Sequence, residues 1–159
     1  MWNEQIIMML LEGIKDTLYM TLTSTLIGYV IGLPMGILLT VTDKDGIHPN
    51  AAVYKVLDVI ANLIRSVPFL ILLIVLIPFT RFLIGRSYGP TATIVPLVIA
   101  AAPYIARMVE SSLKEVYAGV IEAARSMGAS NFTIVTKVML VEARTSLIVG
   151  ATISLGTIL

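Results

Sequence analysis

Long uncharged stretches alternate with short charged ones along this chain. The first, Leu18 to Val41, runs without a single charged side chain. A bilayer crossing needs about 20 apolar residues, so a membrane-spanning helix is expected over 18–41. It does not read as a cleaved leader, because Asp16 and two glutamates precede it and the apolar run is too long. Within it Ser24, Gly28, Gly32 and Gly36 recur at every fourth position. Small residues at that spacing make a smooth stripe on one helix face, where a second helix packs closely.

Asp43 to Asn50 is a polar, turn-rich loop. A second span is predicted over 56–80. Its uncharged part, Ser66 to Thr80, is too short to cross alone, so the helix must take in Arg65 near one end. Ser87 to Ala106 supplies a third, with Pro90, Pro96 and Pro103 predicting kinks. From Arg107 to Arg144 charges return, interleaved with Leu, Val and Ile at helical spacing. That pattern predicts a helical hairpin outside the membrane over 107–139. A last apolar run, about 140–159, gives a fourth span.

Inside the charged region, Gly119 to Ser130 predicts a short amphipathic helix. Val120, Ile121, Ala124, Met127 and Gly128 fall on one apolar face, and Glu122, Arg125 and Ser126 on the other. Gly128 suits a left-handed helix end, and Ser130 can cap whatever follows. A helix of this kind, hung between membrane spans, is a handle for a soluble partner.

Composition narrows the class. The chain is 57% hydrophobic and 13% charged, with a mean hydropathy of +0.94. A core of 159 residues cannot hide that much apolar surface from water, so an all-α polytopic membrane protein is expected. The net charge of +1 gives no case for nucleic acid. With no cysteine, disulfides and thiolate metal sites are excluded. The single histidine, His48, sits in the polar loop without a second ligand beside it, and reads as a loop residue. No phosphate-binding G-x4-G-K-[ST] loop is present, and no catalytic or metal site is expected. Seven Lys and Arg residues fall in the first and third connections (Lys44, Lys55, Arg107, Lys114, Arg125, Lys137, Arg144), against three in the N-terminal segment and second loop (Lys15, Arg81, Arg86). The positive-inside rule then puts the N-terminus outside and the Glu122 helix in the cytosol.

Glu122-Ala123-Ala124-x3-Gly128, followed after a nine-position gap by Val138-Met139-Leu140, resembles the EAA loop of bacterial ABC-importer permeases. That pattern reads E-A-A-x3-G-x9-I-x-L-P. Here valine stands for the isoleucine and Val141 for the final proline, which alters the exit of the following helix. Arg65-Ser66-Val67-Pro68-Phe69 is similar to the family's R-x-x-P element, and Ile77 to Arg81 and Ala101 to Arg107 look closest to its methionine-import branch. The resemblance implies an inner-membrane permease subunit for methionine or a related amino acid. It implies a homodimer, a cytoplasmic ATP-binding subunit that holds the nucleotide, and an extracytoplasmic substrate-binding protein. Glu122, Ala123, Ala124 and Gly128 would then couple transport to the ATPase, with Arg65 and Pro68 anchoring a helix. Because the family carries a further span, the chain is expected to stop inside span four, with a fifth span missing.

Arg65 keeps two readings. It reaches the cytoplasmic headgroups from the inner end of span two, or it pairs with Asp58 and anchors the helix. A substrate-binding role ranks last, because the spans otherwise lack charge. Two alternatives of other classes remain: a secondary transporter, which would need an intramembrane carboxylate, and a membrane scaffold that does not transport.

Overall fold

The computed structural model describes residues 3–159, which form helices and connecting loops without a strand among them. α1 (Glu4–Thr42) is followed by α2 (Ala51–Ser66), α3 (Phe69–Val75) and α4 (Ile77–Ile84). Then come α5 (Pro90–Lys114), α6 (Ala118–Ser126), α7 (Asn131–Glu142) and α8 (Arg144–Ile158). α1 and α5 are each long and apolar enough to cross a bilayer alone. The pairs α2–α3 and α7–α8 reach that length only when each is taken together, and they bend by 104° and 70°.

α5 is the hub: α1, α2, α3, α4 and α8 all pack on it, α1 most extensively. The glycine stripe of α1 makes that contact. A Cβ at Gly32 would come within 2.8 Å of the Ala102 carbonyl oxygen, and one at Gly36 within 2.6 Å of the Ala106 carbonyl and of Val109 Cβ. At Gly28 the neighbours are Ile105 Cδ1 at 3.0 Å and Ala101 Cβ at 3.4 Å. Backbones this close leave no room for side chains, so the repeat sets the helix separation. Buried Thr25 and Thr40 on the same side return their hydroxyls to carbonyls one turn back, at 2.7 and 2.9 Å, so they bring no unsatisfied donor to the interface.

Several helix limits differ from those expected. α1 begins at Glu4 rather than near 18, because Ile6 to Leu11 continue the apolar helical run and Glu12 and Lys15 sit exposed on it. The stretch expected as one helix over 56–80 is three pieces. Pro68 holds Val67 in extended backbone (φ −84°, ψ 125°), which ends α2, and a second break at Leu76 precedes α4. Gly85, at φ 81°, then closes α4.

α5 continues past 106 to Lys114, so 107–114 belongs to this helix and not to a hairpin. Arg107, Glu110 and Lys114 are spaced at i, i+3 and i+7 and share one face, where they pair with each other and with α1 and α2. α7 contains a π-helical stretch, Ile134–Met139, and the turn at Ala143 separates it from α8, so the last helix starts at Arg144 rather than 140.

Candidate coupling site and its supports

α6 stands at the end of the bundle where α5 finishes. Its inward face is narrower than the sequence pattern suggested. Ala124 is buried and Ile121 half-buried, against a cluster that includes Val109, Leu113, Ile134 and Met139. Val120 is instead at the surface and Met127 is 82% exposed, because the helix is short and only one side touches α5 and α7.

The end of α6 is a Schellman motif. Gly128 takes φ 83°, its N–H donates to the Arg125 carbonyl at 3.0 Å, and the Ala129 N–H reaches the Ala124 carbonyl at 3.1 Å. Ser130 then caps α7, its hydroxyl oxygen accepting from the Thr133 N–H at 3.3 Å. Glu122 and Ala123 point away from the core and are exposed, as is Gly128. Glu122 makes no ion pair with Arg125 among the described residues. Arg125 donates instead to the Ile47 carbonyl at 3.0 Å, tying α6 to the loop after α1. Exposed Tyr117, Met127 and Phe132 lie on or next to the helix, and of these the sequence pattern singled out only Met127, as part of the inward face. Large apolar side chains left in water mark an interaction surface when they cluster.

Below α6 lies a charged joint that was also missed. Glu110 of α5 is 5% exposed and is held from both sides. Arg107 Nη1 donates to it at 2.8 Å, Lys114 Nζ at 2.7 Å and the Tyr54 hydroxyl at 3.3 Å. Arg107 also pairs with Asp58 of α2 and donates to the Asn62 side-chain oxygen at 3.1 Å. Lys114 reaches Asp43, at the end of α1, at 2.8 Å. That hydrogen bond holds the Asp43 carboxyl below its ordinary value. One buried carboxylate thus joins α1, α2 and α5, and its desolvation is offset by two cations. The signal available in sequence was the helical spacing of Arg107, Glu110 and Lys114.

Arg65 does not pair with Asp58, whose carboxylate is taken by Arg107. It lies in the last turn of α2, exposed, just before the Val67–Pro68 break. His48 lies in the loop, its N–H on the Val41 carbonyl at 3.1 Å. No group of three metal-ligating side chains occurs among the described residues.

Comparison with known proteins bears on this arrangement. Residues 7–159 match the family described as binding-protein-dependent transport system inner membrane component. The chain is 49% identical over 156 residues to the D-methionine transport system permease protein MetI of Salmonella typhimurium, covering 98% of this chain and 72% of that one. The MetI of Escherichia coli K12 gives the same figures. The fold superposes on a chain of the MetNI methionine ABC transporter, solved in inward-facing conformations, with a TM-score of 0.96 and 49% identity, over 99% of this chain and 73% of that one. A second transporter, for an amino acid, shares the fold alone at a TM-score of 0.69 and 22% identity, over 98% and 72% of the two chains. By sequence over nearly its whole length, and by fold, this chain belongs to the family of inner-membrane components of binding-protein-dependent transport systems.

Proposed function

We propose that this chain is the membrane-spanning subunit of an ATP-driven methionine importer, with α6 as the helix that couples it to a separate ATP-binding subunit. The observation that carries this is the superposition on the methionine transporter chain over nearly the full length, at 49% identity. The same identity to permease proteins of transport systems disfavours a scaffold or a secondary transporter. Four spans fit the helices: α1, the bent α2–α3 unit, α5, and the bent α7–α8 unit. Two copies would form the translocation path, with a substrate-binding protein on the outer face. The permease performs no catalysis; nucleotide is bound by the partner.

Charge and the ties between loops support one orientation. Lys114–Asp43 and Arg125–Ile47 hold the loop after α1 and the α6 region at one end of the bundle. These are the Lys- and Arg-rich connections, which favours the cytosol for that end and the outside for the N-terminus. In this reading Glu122, Ala123 and the Tyr117–Met127–Phe132 rim sit in a groove of the ATPase. A short helix fixed at its base by Ala124 can pass a displacement on to the bundle.

Reconstitution of the full-length permease with its ATP-binding subunit and binding protein tests the reading. ATP-dependent methionine uptake into liposomes, abolished when the ATPase subunit is omitted, is the expected result. Uptake that persists without that subunit, or an ATPase that does not co-purify with the permease, would overturn it.

A further inference from the structure

Two cavities flank α5 on the side of α8, and Arg65 lines both. The first, about 530 Å³, is walled by Arg65, Leu97, Ala100, Tyr104 and Thr157. The second, about 370 Å³, carries Arg65, Tyr104, Ser111, Ser112, Ser146 and Glu115. Arg65 and Tyr104 are the residues common to the two walls. The apolar cavity and the hydroxyl-lined one therefore share a guanidinium and a phenol in their walls. The Tyr104 hydroxyl lies 3.5 Å from Thr157 Oγ1, so a further polar group stands beside it.

At about 1.5 Å per residue, Arg65 stands about 21 Å along α2 from Ala51, in the last turn before the Val67–Pro68 break. A charge within a membrane-spanning unit is costly unless it faces water or a counter-ion. Arg107, on the second cavity wall, has Asp58 and Glu110. Arg65 has no carboxylate, amide or hydroxyl partner among the described residues.

We infer that Arg65 binds the carboxylate of the transported amino acid at the wall the two cavities share, with Tyr104 on the same wall. This rests on the import reading and gives it a contact residue. It reverses the ranking expected from sequence, which puts substrate binding behind headgroup contact and helix anchoring. A guanidinium offers a fork of donors matched to the two carboxylate oxygens, and the bond is stronger away from bulk water. One such contact is tight enough to draw a zwitterion in and weak enough to release it.

These 159 residues contain no cysteine, so Arg65→Cys places a single thiol among them. In the complete reconstituted transporter this variant should lower methionine uptake about tenfold or more, the loss expected of one charged hydrogen bond in a buried path. ATPase association and ATP hydrolysis should hold. Aminoethyl methanethiosulfonate, which restores a cation, should recover uptake, and the neutral hydroxyethyl reagent should not. Arg65→Lys should retain part of the activity. Normal uptake by Arg65→Cys, equal recovery with both reagents, or a thiol that neither reagent reaches would each overturn the inference. If the unsubstituted transporter takes up no methionine, the import reading itself fails and the carboxylate site falls with it.

Discussion

Gly36 of α1 lies flat against Val109 of α5, so close that a Cβ on the glycine would stand 2.6 Å from the valine Cβ. No rotamer of Val109 relieves a clash with its own Cβ, so the backbones must part. Gly36→Val and Gly32→Leu should destabilise the α1–α5 pair by about 1–3 kcal/mol, the usual cost of overpacking. Ile31→Leu, at an exposed position of the same helix, should be nearly silent. Thermal unfolding in detergent reads the difference, and equal midpoints for Gly32→Leu and Ile31→Leu would show that the stripe tolerates separation.

Glu110 is the next test. Glu110→Ala takes one partner from each of Arg107 and Lys114, which keep Asp58 and Asp43, and should cost about 1–3 kcal/mol, the usual loss for hydrogen bonds to a charged group. Glu12→Ala, on the exposed start of α1, should change stability little. A melting temperature for Glu110→Ala close to that of the parent would mean that water already screens the joint.

Asp43 makes part of the same joint sensitive to acid. Its carboxyl is held below its ordinary 3.8 chiefly by the Lys114 hydrogen bond. Folding therefore favours the charged form, and the contribution is fully present above the unfolded value. It is lost as pH falls through the lower, folded one. The stability gap between the parent and Asp43→Asn should be constant near neutrality and should close below about pH 4. A gap that persists unchanged through that range would assign Asp43 a role other than charge.

At α6 the glycine and the glutamate can be separated. A Cβ on Gly128 would touch nothing within the chain, so Gly128→Val loses only the left-handed turn, at about 1–2 kcal/mol. Gly128→Asn should be milder. Glu122→Lys changes no contact inside the permease and should leave its folding intact, yet weaken ATPase association and uptake. Full uptake by Glu122→Lys together with normal ATPase binding would remove Glu122 from the coupling surface.

Orientation is open to labelling. Cysteines introduced at Asp45 and Ser126 should react with an impermeant reagent only from the cytosolic side, and one at Arg86 only from outside. Labelling of Ser126→Cys from outside would invert the topology and separate α6 from any cytosolic ATPase.

Local rules reach some of this architecture and stop at identifiable places. The glycines at 28, 32 and 36 are readable because a repeat at every fourth position maps directly onto one helix face. The end of α6 is readable because a glycine followed by a serine cap has few other uses. The continuation of α5 to Lys114 is not, because its charges look solvated until Asp58, far back in the chain on α2, is seen to meet them. Pro68 signals an interruption, but the 104° turn depends on where α3 finds packing on α5. The place of Arg65 in the last turn of α2 depends on that helix starting at Ala51 and ending at Ser66, which the uncharged window from Ser66 conceals. Tyr117 and Phe132 carry no periodic mark at all.

The central place of α5 has a mechanical consequence. Five helices lean on it, and its lower end is riveted to α1 and α2 through Glu110. A push on α6, seated on the same end through Ile121 and Ala124, cannot slide one helix past another without tearing both the glycine seam and the charged joint. The stiff response is for these helices to rock together as a single lever. In the proposed importer, opening and closing would then arise where this lever meets its neighbour.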